Sequence, residues 1–345
     1  MTDIKSLTFD ELNSEITSIG LPKFRTGQIY SWLHEKGVDS FDEMTNLSKD
    51  LREKLKQNYF IPSVKIEDKY VSKIDSTVKY LFKLYDGEYV EAVIMKYKYG
   101  YTICISSQVG CKMGCRFCAS TLAGFKRNLL PSEMESQLHT AQKDLNIRIS
   151  HIVLMGIGEP LDNYENVIKF IKTVNNDNGL NISMRDITLS TCGIVPKIYD
   201  LANEQMPITL TLSLHAPNDK IRSSMMPVND KWGVDEAIAA CKNYVNKTGR
   251  RVSFEYTLIN GVNDTEECAK ELASKLAGML CHVNLIPVND VEERGNVRST
   301  DKSIKNFCEA LYSLGINATI RRTLGSDINA SCGQLRRKKN EGEIQ

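Results

Sequence analysis

Apolar residues recur along this chain at two different spacings, and the change of spacing divides it into regions. In about the first sixty residues they recur every three or four positions, as in LSKDLREKLKQNY, which is typical of amphipathic helices. Thr8 followed by Glu11, and Ser40 followed by Glu43, each fit a capping box at the start of a helix. The pattern therefore predicts a small N-terminal helical domain over residues 1–62.

A connector rich in β-structure is predicted over residues 63–96. The segments KYVSKID, TVKYLFKLYDG and EYVEAVIMKY are rich in β-branched and aromatic residues, and Asp86 and Gly87 between the last two favour a turn. Three short strands are expected here, the last two joined as a hairpin.

Beyond residue 100 strand-like runs alternate with helical patterns. The predicted strands are TICISS, HIVLMG, DITLST, ITLTLSLH, RVSFEYTLI and CHVNLIPVN. The predicted helices begin at Ser132, Asn163, Pro196, Val234, Thr265 and Ser303. Repeated βα units require parallel strands with right-handed crossovers, so we expect an α/β fold, a partial (open) βα barrel over residues 97–335. A basic tail, residues 336–345, follows it.

Composition narrows the class of protein. The 345 residues are 41% hydrophobic and 25% charged, which is typical of a folded globular chain and excludes collagen-like and disordered classes. The 44 Lys and Arg residues almost balance the 43 Asp and Glu residues, so any affinity for nucleic acid must come from local patches. The start of the chain is acidic and no apolar run approaches the roughly 18 residues of a membrane span, so we expect a cytoplasmic protein without a membrane contact.

Three cysteines lie close together directly after the first strand of the predicted barrel. Cys111, Cys115 and Cys118 have the spacing CxxxCxxC, and Gly110 and Gly114 allow a tight loop around a bound object. A structural zinc site needs four ligands, and no second pair has a suitable spacing. Three thiolates can hold a four-iron cluster and leave one iron open to a substrate. Three buried, inert cysteines and an unusual zinc loop are the alternatives.

Polar residues follow several other predicted strands. Gly158 and Glu159, in MGIGEP, follow the second strand, where a carboxylate can bind an ammonium group. Ser190, the segment 213–215 and Asn289 lie near later strand ends. Ordinary turn polarity explains each of these residues equally well from the sequence alone.

Taken together, the motifs resemble a known family. CxxxCxxC on the first βα turn resembles the radical SAM (S-adenosylmethionine) superfamily. SSQVGCxxxCxFC, GFKRNL, MGIGEPLDN, LSTCG, SLHAP, MMPVN, GVND, VNLIPVN and ASCGQL, in this order, resemble the RlmN family of adenine-C2 RNA methyltransferases within it. The resemblance implies an open βα barrel of the radical SAM type, one [4Fe–4S] cluster, SAM as cofactor and methyl donor, and 23S rRNA and tRNA as substrates.

The resemblance also implies roles for individual residues. It implies that the cluster ligands are Cys111, Cys115 and Cys118. It implies that SAM is held by Gly158, Glu159, Ser190, Ser213, Leu214, His215 and Asn289. By the same resemblance Cys332 is methylated by a first SAM and carries the methyl group to C2, Cys104 releases the product by forming a transient disulfide, and Glu91 accepts the C2 proton.

RNA contact is expected from basic residues near these motifs. They are Lys126, Arg127, Arg321, Arg322 and Arg336 to Lys339, with KFRTGQIYSWLHEKG of the helical domain. The resemblance further suggests a monomer that receives electrons from a donor such as flavodoxin.

Three other functions compete with this interpretation. A sister C8-adenine methyltransferase shares the cysteines, although GEPLDN with Pro160 favours the C2 enzyme. A non-catalytic iron–sulfur or zinc RNA-binding protein is the second alternative. A Rossmann-type methyltransferase is disfavoured because its first βα turn carries glycines where this chain carries cysteines.

Overall fold

The computed structural model describes residues 1–289, 291–331 and 333–335. Its α-helices are α1 (Phe9–Ser18), α2 (Phe24–Tyr30), α3 (Lys49–Asn58), α4 (Pro131–Leu145), α5 (Tyr164–Asn175), α6 (Val195–Asn203), α7 (Asp219–Met225), α8 (Val234–Thr248), α9 (Glu266–Leu276) and α10 (Asp301–Ser313). Its strands are β1 (Thr2–Asp3), β2 (Tyr59–Phe60), β3 (Lys65–Val71), β4 (Val78–Lys83), β5 (Tyr89–Tyr97), β6 (Gly100–Cys104), β7 (Gln108–Gly110), β8 (Phe125–Asn128), β9 (Ile149–Leu154), β10 (Ile187–Thr191), β11 (Thr209–Ser213), β12 (Val252–Leu258), β13 (Cys281–Pro287) and β14 (Ala318–Ile320).

One 10-stranded sheet organises the protein, in the order β14-β13-β12-β11-β10-β9-β6-β5-β4-β3. The strands β6 and β9 to β14 are parallel, and β3, β4 and β5 extend the same sheet antiparallel beyond β6. The order is linear, so within the described residues the edge strands β14 and β3 do not pair with each other. The alternating α/β pattern expected of an open barrel is confirmed, and the connector strands belong to the same sheet.

Alternation along the strands decides what faces the inside of this sheet. In β10, β11 and β12 the apolar residues Leu189, Leu210 and Phe254 are fully buried in the main hydrophobic core. Successive side chains of a strand point to opposite faces, so the polar residues between them lie on the other face. Ser213 and Glu255 are register partners there, which places a row of polar side chains inside the open barrel.

Several boundaries differ from the sequence prediction. The first connector strand, expected in KYVSKID, is β3 and ends at Val71. The helix expected from Asn163 begins with the 3₁₀ turn Pro160–Asn163 and continues as α5. The short elements α7 and β14 were not predicted, because seven and three residues respectively are too few to show a period.

The N-terminal helical module, residues 2–61, has its own apolar core. Both predicted capping boxes are present, at Thr8 with Glu11 and at Ser40 with Glu43. A separate buried cluster includes Leu12, Leu33 and Leu55. The module is therefore a packed unit before its contacts with the sheet are counted.

A buried polar cluster joins this module to helix α4. Lys5 Nζ donates to Ser136 Oγ at 3.0 Å, and His34 Nδ1 lies 2.8 Å from Glu135 Oε2. His139 Nε2 lies 3.1 Å from the carbonyl oxygen of His34. Burial lowers the pKa of Lys5 and, with the nearby Lys5 charge, lowers the pKa of His139 to about 3. The Lys5 ammonium and the Glu135 carboxylate are both buried, so each needs a partner from the other side of this contact.

The substitution Glu135→Gln is expected to destabilise the protein by about 3 kcal/mol, because it leaves the buried Lys5 ammonium without its principal counter-charge. Urea denaturation followed by circular dichroism measures the change. The matched control is Glu11→Gln, which removes an ion pair to Lys169 that also joins module and core but is 40% exposed on both sides. It should cost less than about 1 kcal/mol. Equal costs for the two substitutions would contradict the assigned importance of the buried cluster.

The α-helices in the described ranges are all too short or too polar to cross a lipid bilayer.

Candidate active site

The predicted cysteine loop lies at the carboxyl end of the parallel strands. Strands β7 and β8 form an antiparallel ribbon that brackets it, with Gln108 paired to Asn128. Gly110, at the base of the loop, has φ +75°, and a Cβ atom there would lie 1.7 Å from the carbonyl oxygen of Gly124. Only glycine fits at the point where these two segments of the chain approach each other. Strands β7 and β8 therefore lie close together beneath the cysteines.

The three thiols open into one cavity. Cys111 and Cys115 are buried, Cys118 is partly exposed, and all three line a cavity with about 930 Å³ of empty space, part of it open to solvent. Burial raises the pKa of Cys111 to about 12 and also raises that of Cys115. Burial thus favours the protonated thiols, and binding of a metal centre would displace their protons.

The donor set fits a four-iron cluster. Three thiols line one cavity, and three thiolates can hold such a cluster and leave one iron open to a ligand. A structural zinc site takes four protein ligands. Among the described residues, no group of three or more His, Cys, Asp or Glu side chains is in position to hold a single metal ion.

Three segments from later in the chain hold the cysteine loop in place. The backbone N–H of Arg116 donates to the carbonyl of Met225 at 2.9 Å, and Gly333 O accepts from the N–H of Ala119 at 2.7 Å. Arg294 donates through Nη2 to the carbonyl of Cys118 at 3.1 Å. Sequence analysis did not select Arg294, because nothing in its local sequence indicates a partner so far along the chain.

Glu159 lines the same cavity as the three thiols. It is 4% exposed, and its Oε2 accepts from the N–H of Cys192 at 2.7 Å while Oε1 accepts from the N–H of Leu161 at 3.0 Å. Burial raises the pKa of this carboxyl group despite the two donors. Gly158 before it has φ +110°, and a Cβ there would lie 2.6 Å from Cβ of Gln108. A ligand ammonium placed against Glu159 would relieve the cost of burying its charge.

His215 is neutral and its tautomer is fixed. Its Nδ1 accepts from the backbone N–H of Thr257 at 2.9 Å, so the ring proton is on Nε2. Burial, together with the nearby charge of Arg222, lowers its pKa to about 3. The ring packs edge-on against Phe117 of the cysteine loop, with centroids 4.8 Å apart. His215 therefore supports the cysteine loop and offers a single N–H donor.

The remaining residues selected for SAM are mostly placed together. Ser190 Oγ and Ser213 Oγ are 3.3 Å apart, and both residues line the cavity with Asn289. Leu214 differs: it is fully buried, it does not line the cavity, and its carbonyl accepts from Arg222 Nε at 3.0 Å.

Arg222 is a fully buried cation behind the cavity that sequence analysis did not select. Besides Leu214, it donates to the carbonyls of Cys192 at 2.6 Å and Ser213 at 3.2 Å, and to Asn229 Oδ1 at 3.1 Å. These carbonyls terminate β11 and follow the end of β10. One guanidinium group thus joins two strand ends that carry predicted SAM contacts.

Glu91 and Cys104 lie on one buried face of the antiparallel extension. Val93 of β5 is the register partner of Cys104 on β6, and Glu91 is two residues from Val93 on the same face. Glu91 is 6% exposed and Cys104 is 8% exposed. Lys79 Nζ lies 3.4 Å from Glu91 Oε1. Cys332 lies outside the described residues; its neighbour Gly333 lines the cavity of the three thiols.

The predicted RNA-contacting residues are placed differently from one another. Lys126 and Arg322 are exposed. Arg127 is occupied by Glu133 and Asp86, at 2.7 Å each. Arg321 pairs with Glu255 at 3.1 Å. The segment 336–339 lies outside the described residues.

Comparison with known proteins extends over nearly the whole chain. Residues 2–61 match the model of the ribosomal RNA large subunit methyltransferase N-terminal domain, and residues 105–276 match that of the radical SAM superfamily. The chain is 54% identical over 344 residues to a probable dual-specificity RNA methyltransferase RlmN of Lachnospira eligens, covering 99% of this chain and 97% of that protein. A protein of the same description from Lachnoclostridium phytofermentans is 56% identical over 335 residues, covering 97% of this chain and 94% of that protein.

A solved structure agrees with these sequence relatives. The crystal structure of a radical SAM methyltransferase from Sphaerobacter thermophilus superimposes with a TM-score of 0.91 at 40% identity, covering 97% of this chain and 99% of that one. Sequence and fold agree over the helical module, the extended sheet and the cysteine loop, and the chain belongs to the RlmN family of radical SAM methyltransferases.

Proposed function

We propose that this enzyme methylates C2 of a specific adenosine in 23S rRNA, near the peptidyl-transferase centre, and of the adenosine 3′ of the anticodon in tRNA. The observation that carries the proposal is the placement of two groups of residues. The three thiols share a cavity with Glu159, Ser190, Ser213 and His215. Glu91 and Cys104 lie buried farther along the sheet, on the face that also carries Ser190. Relatives described as dual-specificity RNA methyltransferases support the substrate class.

Cys111, Cys115 and Cys118 would hold the [4Fe–4S] cluster, and Glu159, Ser190, Ser213, His215 and Asn289 would hold SAM. When bound, the cluster and SAM would supply the radical chemistry that activates the methyl group on Cys332. Glu159 would bind the SAM ammonium, and the Nε2–H of His215 offers a donor to the cofactor. The exclusion of water by this buried wall protects a reactive carbon from side reactions.

The use of a methylated cysteine follows from the chemistry of adenine. C2 is electron-poor and cannot attack the methyl group of SAM as a nucleophile. In the proposed sequence Cys332 first takes a methyl group from one SAM, and the methylene radical formed on its sulfur then adds to C2. The RNA is now tethered to the enzyme through a C–S bond.

Release of the product needs a base and a second thiol. Glu91 would take the C2 proton, so that the bonding electrons remain on the adenine ring. The thiolate of Cys104 would form an S–S bond with Cys332 as the C–S bond breaks, and a solvent proton would complete the methyl group. This step gives up one electron, for which the bound cluster would be the acceptor. An external reductant then restores both thiols. The burial of Glu91 and Cys104 on one face supports these roles.

RNA binding is proposed for the surface that includes Lys126, Arg322 and the N-terminal helical module. In the module Phe24 is 61% exposed and Arg25 lies 4.9 Å over its ring, which is a suitable platform for an unpaired base. We further propose a cytoplasmic monomer served by an electron donor such as flavodoxin.

The proposed activity is tested by product analysis. The cluster is reconstituted anaerobically, and labelled SAM, a reductant and unmodified RNA fragments of both kinds are added. Digestion and mass spectrometry should find 2-methyladenosine in each RNA, and Cys332→Ala should abolish it. Methylation at C8 would make this the sister enzyme, and intact SAM with bound RNA would indicate a binding protein.

A further inference from the structure

We propose that Lys79 is a positioning residue for this reaction: it orients Glu91 for removal of the C2 proton and connects it to the loop that carries Cys332. The inference rests on the proposed function. Sequence analysis did not select Lys79. It is one of two lysines in TVKYLFKLYDG, and either looks like an ordinary solvated charge on a strand.

Strand register places Lys79 beside the reacting groups. Lys79 on β4 is the partner of Val93 on β5, and Val93 is the partner of Cys104 on β6. The three side chains therefore form a row across the sheet on one face. Glu91 is diagonal to Lys79 on that face, and Lys79 Nζ reaches its Oε1 at 3.4 Å.

Burial argues that this lysine is not a solvated surface charge. Lys79 is 8% exposed, and its register partner Val93 belongs to an apolar cluster with Met95, Ile157 and Cys104. Taking an ammonium group out of water is costly unless it is paired, and replacing a buried ion pair by apolar residues is often neutral or stabilising. Fold stability alone thus gives no reason for this pair, whereas proton removal by Glu91 does.

A second contact connects the pair to the carrier loop. Lys79 Nζ also lies 3.4 Å from the carbonyl oxygen of Asn329, three residues before Cys332 in the chain. One ammonium group therefore contacts both the proposed base and the loop of the proposed methyl carrier. The contact thus fixes the position of the Glu91 carboxylate relative to the loop that would present the tethered adenine.

The contact between the two side chains is an ion pair. Lys79 Nζ approaches Glu91 Oε1 to 3.4 Å, which is close enough to fix the direction in which the carboxylate points.

The experiment separates positioning of Glu91 from docking of the loop. Lys79→Met removes the charge at similar volume, and Lys79→Arg restores it. Asp75→Asn is the matched control, because Asp75 Oδ2 accepts from the N–H of Gly325 at 2.8 Å and so holds the same loop without contacting Glu91. Glu91→Gln reports loss of the base itself. Each variant is assayed for 5′-deoxyadenosine, for methylated RNA, and for RNA linked covalently to protein on a denaturing gel.

For Lys79→Met we expect 5′-deoxyadenosine within about twofold of wild type and methylated RNA reduced about 10–100-fold, as is typical for partners that orient a reacting group. Covalently linked RNA should accumulate, as in Glu91→Gln. Lys79→Arg should recover most of the product, and Asp75→Asn should not accumulate the linked species. If Lys79→Met does not fold, Lys79→Gln, which keeps a donor for Asn329 without the charge, is read in the same way.

The outcomes distinguish the inference from the proposed function. Wild-type activity in Lys79→Met, or a parallel loss of 5′-deoxyadenosine and product, with Glu91→Gln still trapping RNA, overturns the role of Lys79 alone. The same linked RNA in Asp75→Asn would mean that loop docking is what matters. Full activity in Glu91→Gln would remove Glu91 as the base and this inference with it, while the methylation itself would stand. No methylated adenosine with wild type would overturn the proposed function.

Discussion

Arg222→Met is expected to destabilise the protein by about 3–5 kcal/mol and to abolish measurable SAM binding. The substitution leaves the carbonyls of Cys192, Ser213 and Leu214 without their buried donor, and each unsatisfied buried group costs about 1–3 kcal/mol, partly relieved by relaxation. SAM binding is lost because these carbonyls fix the strand ends that carry its proposed contacts. Urea denaturation gives the stability, and equilibrium dialysis with labelled SAM gives the affinity.

Two further variants make this result specific. Arg222→Lys keeps the charge but cannot donate to four acceptors at once, so it should recover only part of the stability. Arg185→Met, at an exposed position of a 3₁₀ turn, should change stability by less than about 0.5 kcal/mol. Normal SAM binding by Arg222→Met would show that the strand ends do not depend on this side chain.

Cys104→Ala is expected to reduce turnover by about a thousandfold, or about 4 kcal/mol in activation free energy, while leaving radical formation intact. The alanine cannot form the disulfide that releases the tether, so RNA should accumulate in covalent linkage to the enzyme. Denaturing gels with labelled RNA and mass spectrometry of the linked peptide detect this species.

Cys308→Ala is the matched control for this experiment. Cys308 is a partly buried thiol on α10 whose sulfur lies 3.8 Å from the carbonyl of Ala318, away from the proposed site. It should retain turnover and show no linked RNA. Free RNA together with full 5′-deoxyadenosine production in Cys104→Ala would remove Cys104 from the proposed release step.

The sequence predicts features that depend on local pattern. Helix starts near Val234 and Thr265, the two capping boxes and the strand-end positions of Ser190 and Ser213 all follow from spacing or from local hydrogen bonding. The cysteine spacing and the ordered motifs are enough to identify the family. These signals lie within a few residues of one another, so a single chain displays them.

Features that depend on distant partners could not be predicted. Arg222 bonds carbonyls on two strand ends, and carbonyls have no sequence signature. Lys79 faces Glu91 only because of the register of β4 with β5, and a shift of one residue would turn it to the opposite face. The ion pair of Arg321 with Glu255 also could not be predicted, because nothing in the sequence reveals that the two residues lie opposite each other.

The buried cluster between the N-terminal module and α4 sets an order of events during synthesis. The apolar core of the module is complete once residue 59 has left the ribosome, so this part of the chain can collapse early. Its partners Glu135 and Ser136 are made more than seventy residues later. Until then Lys5 and His34 must remain hydrated. This face of the nascent module is therefore exposed to water until α4 packs against it.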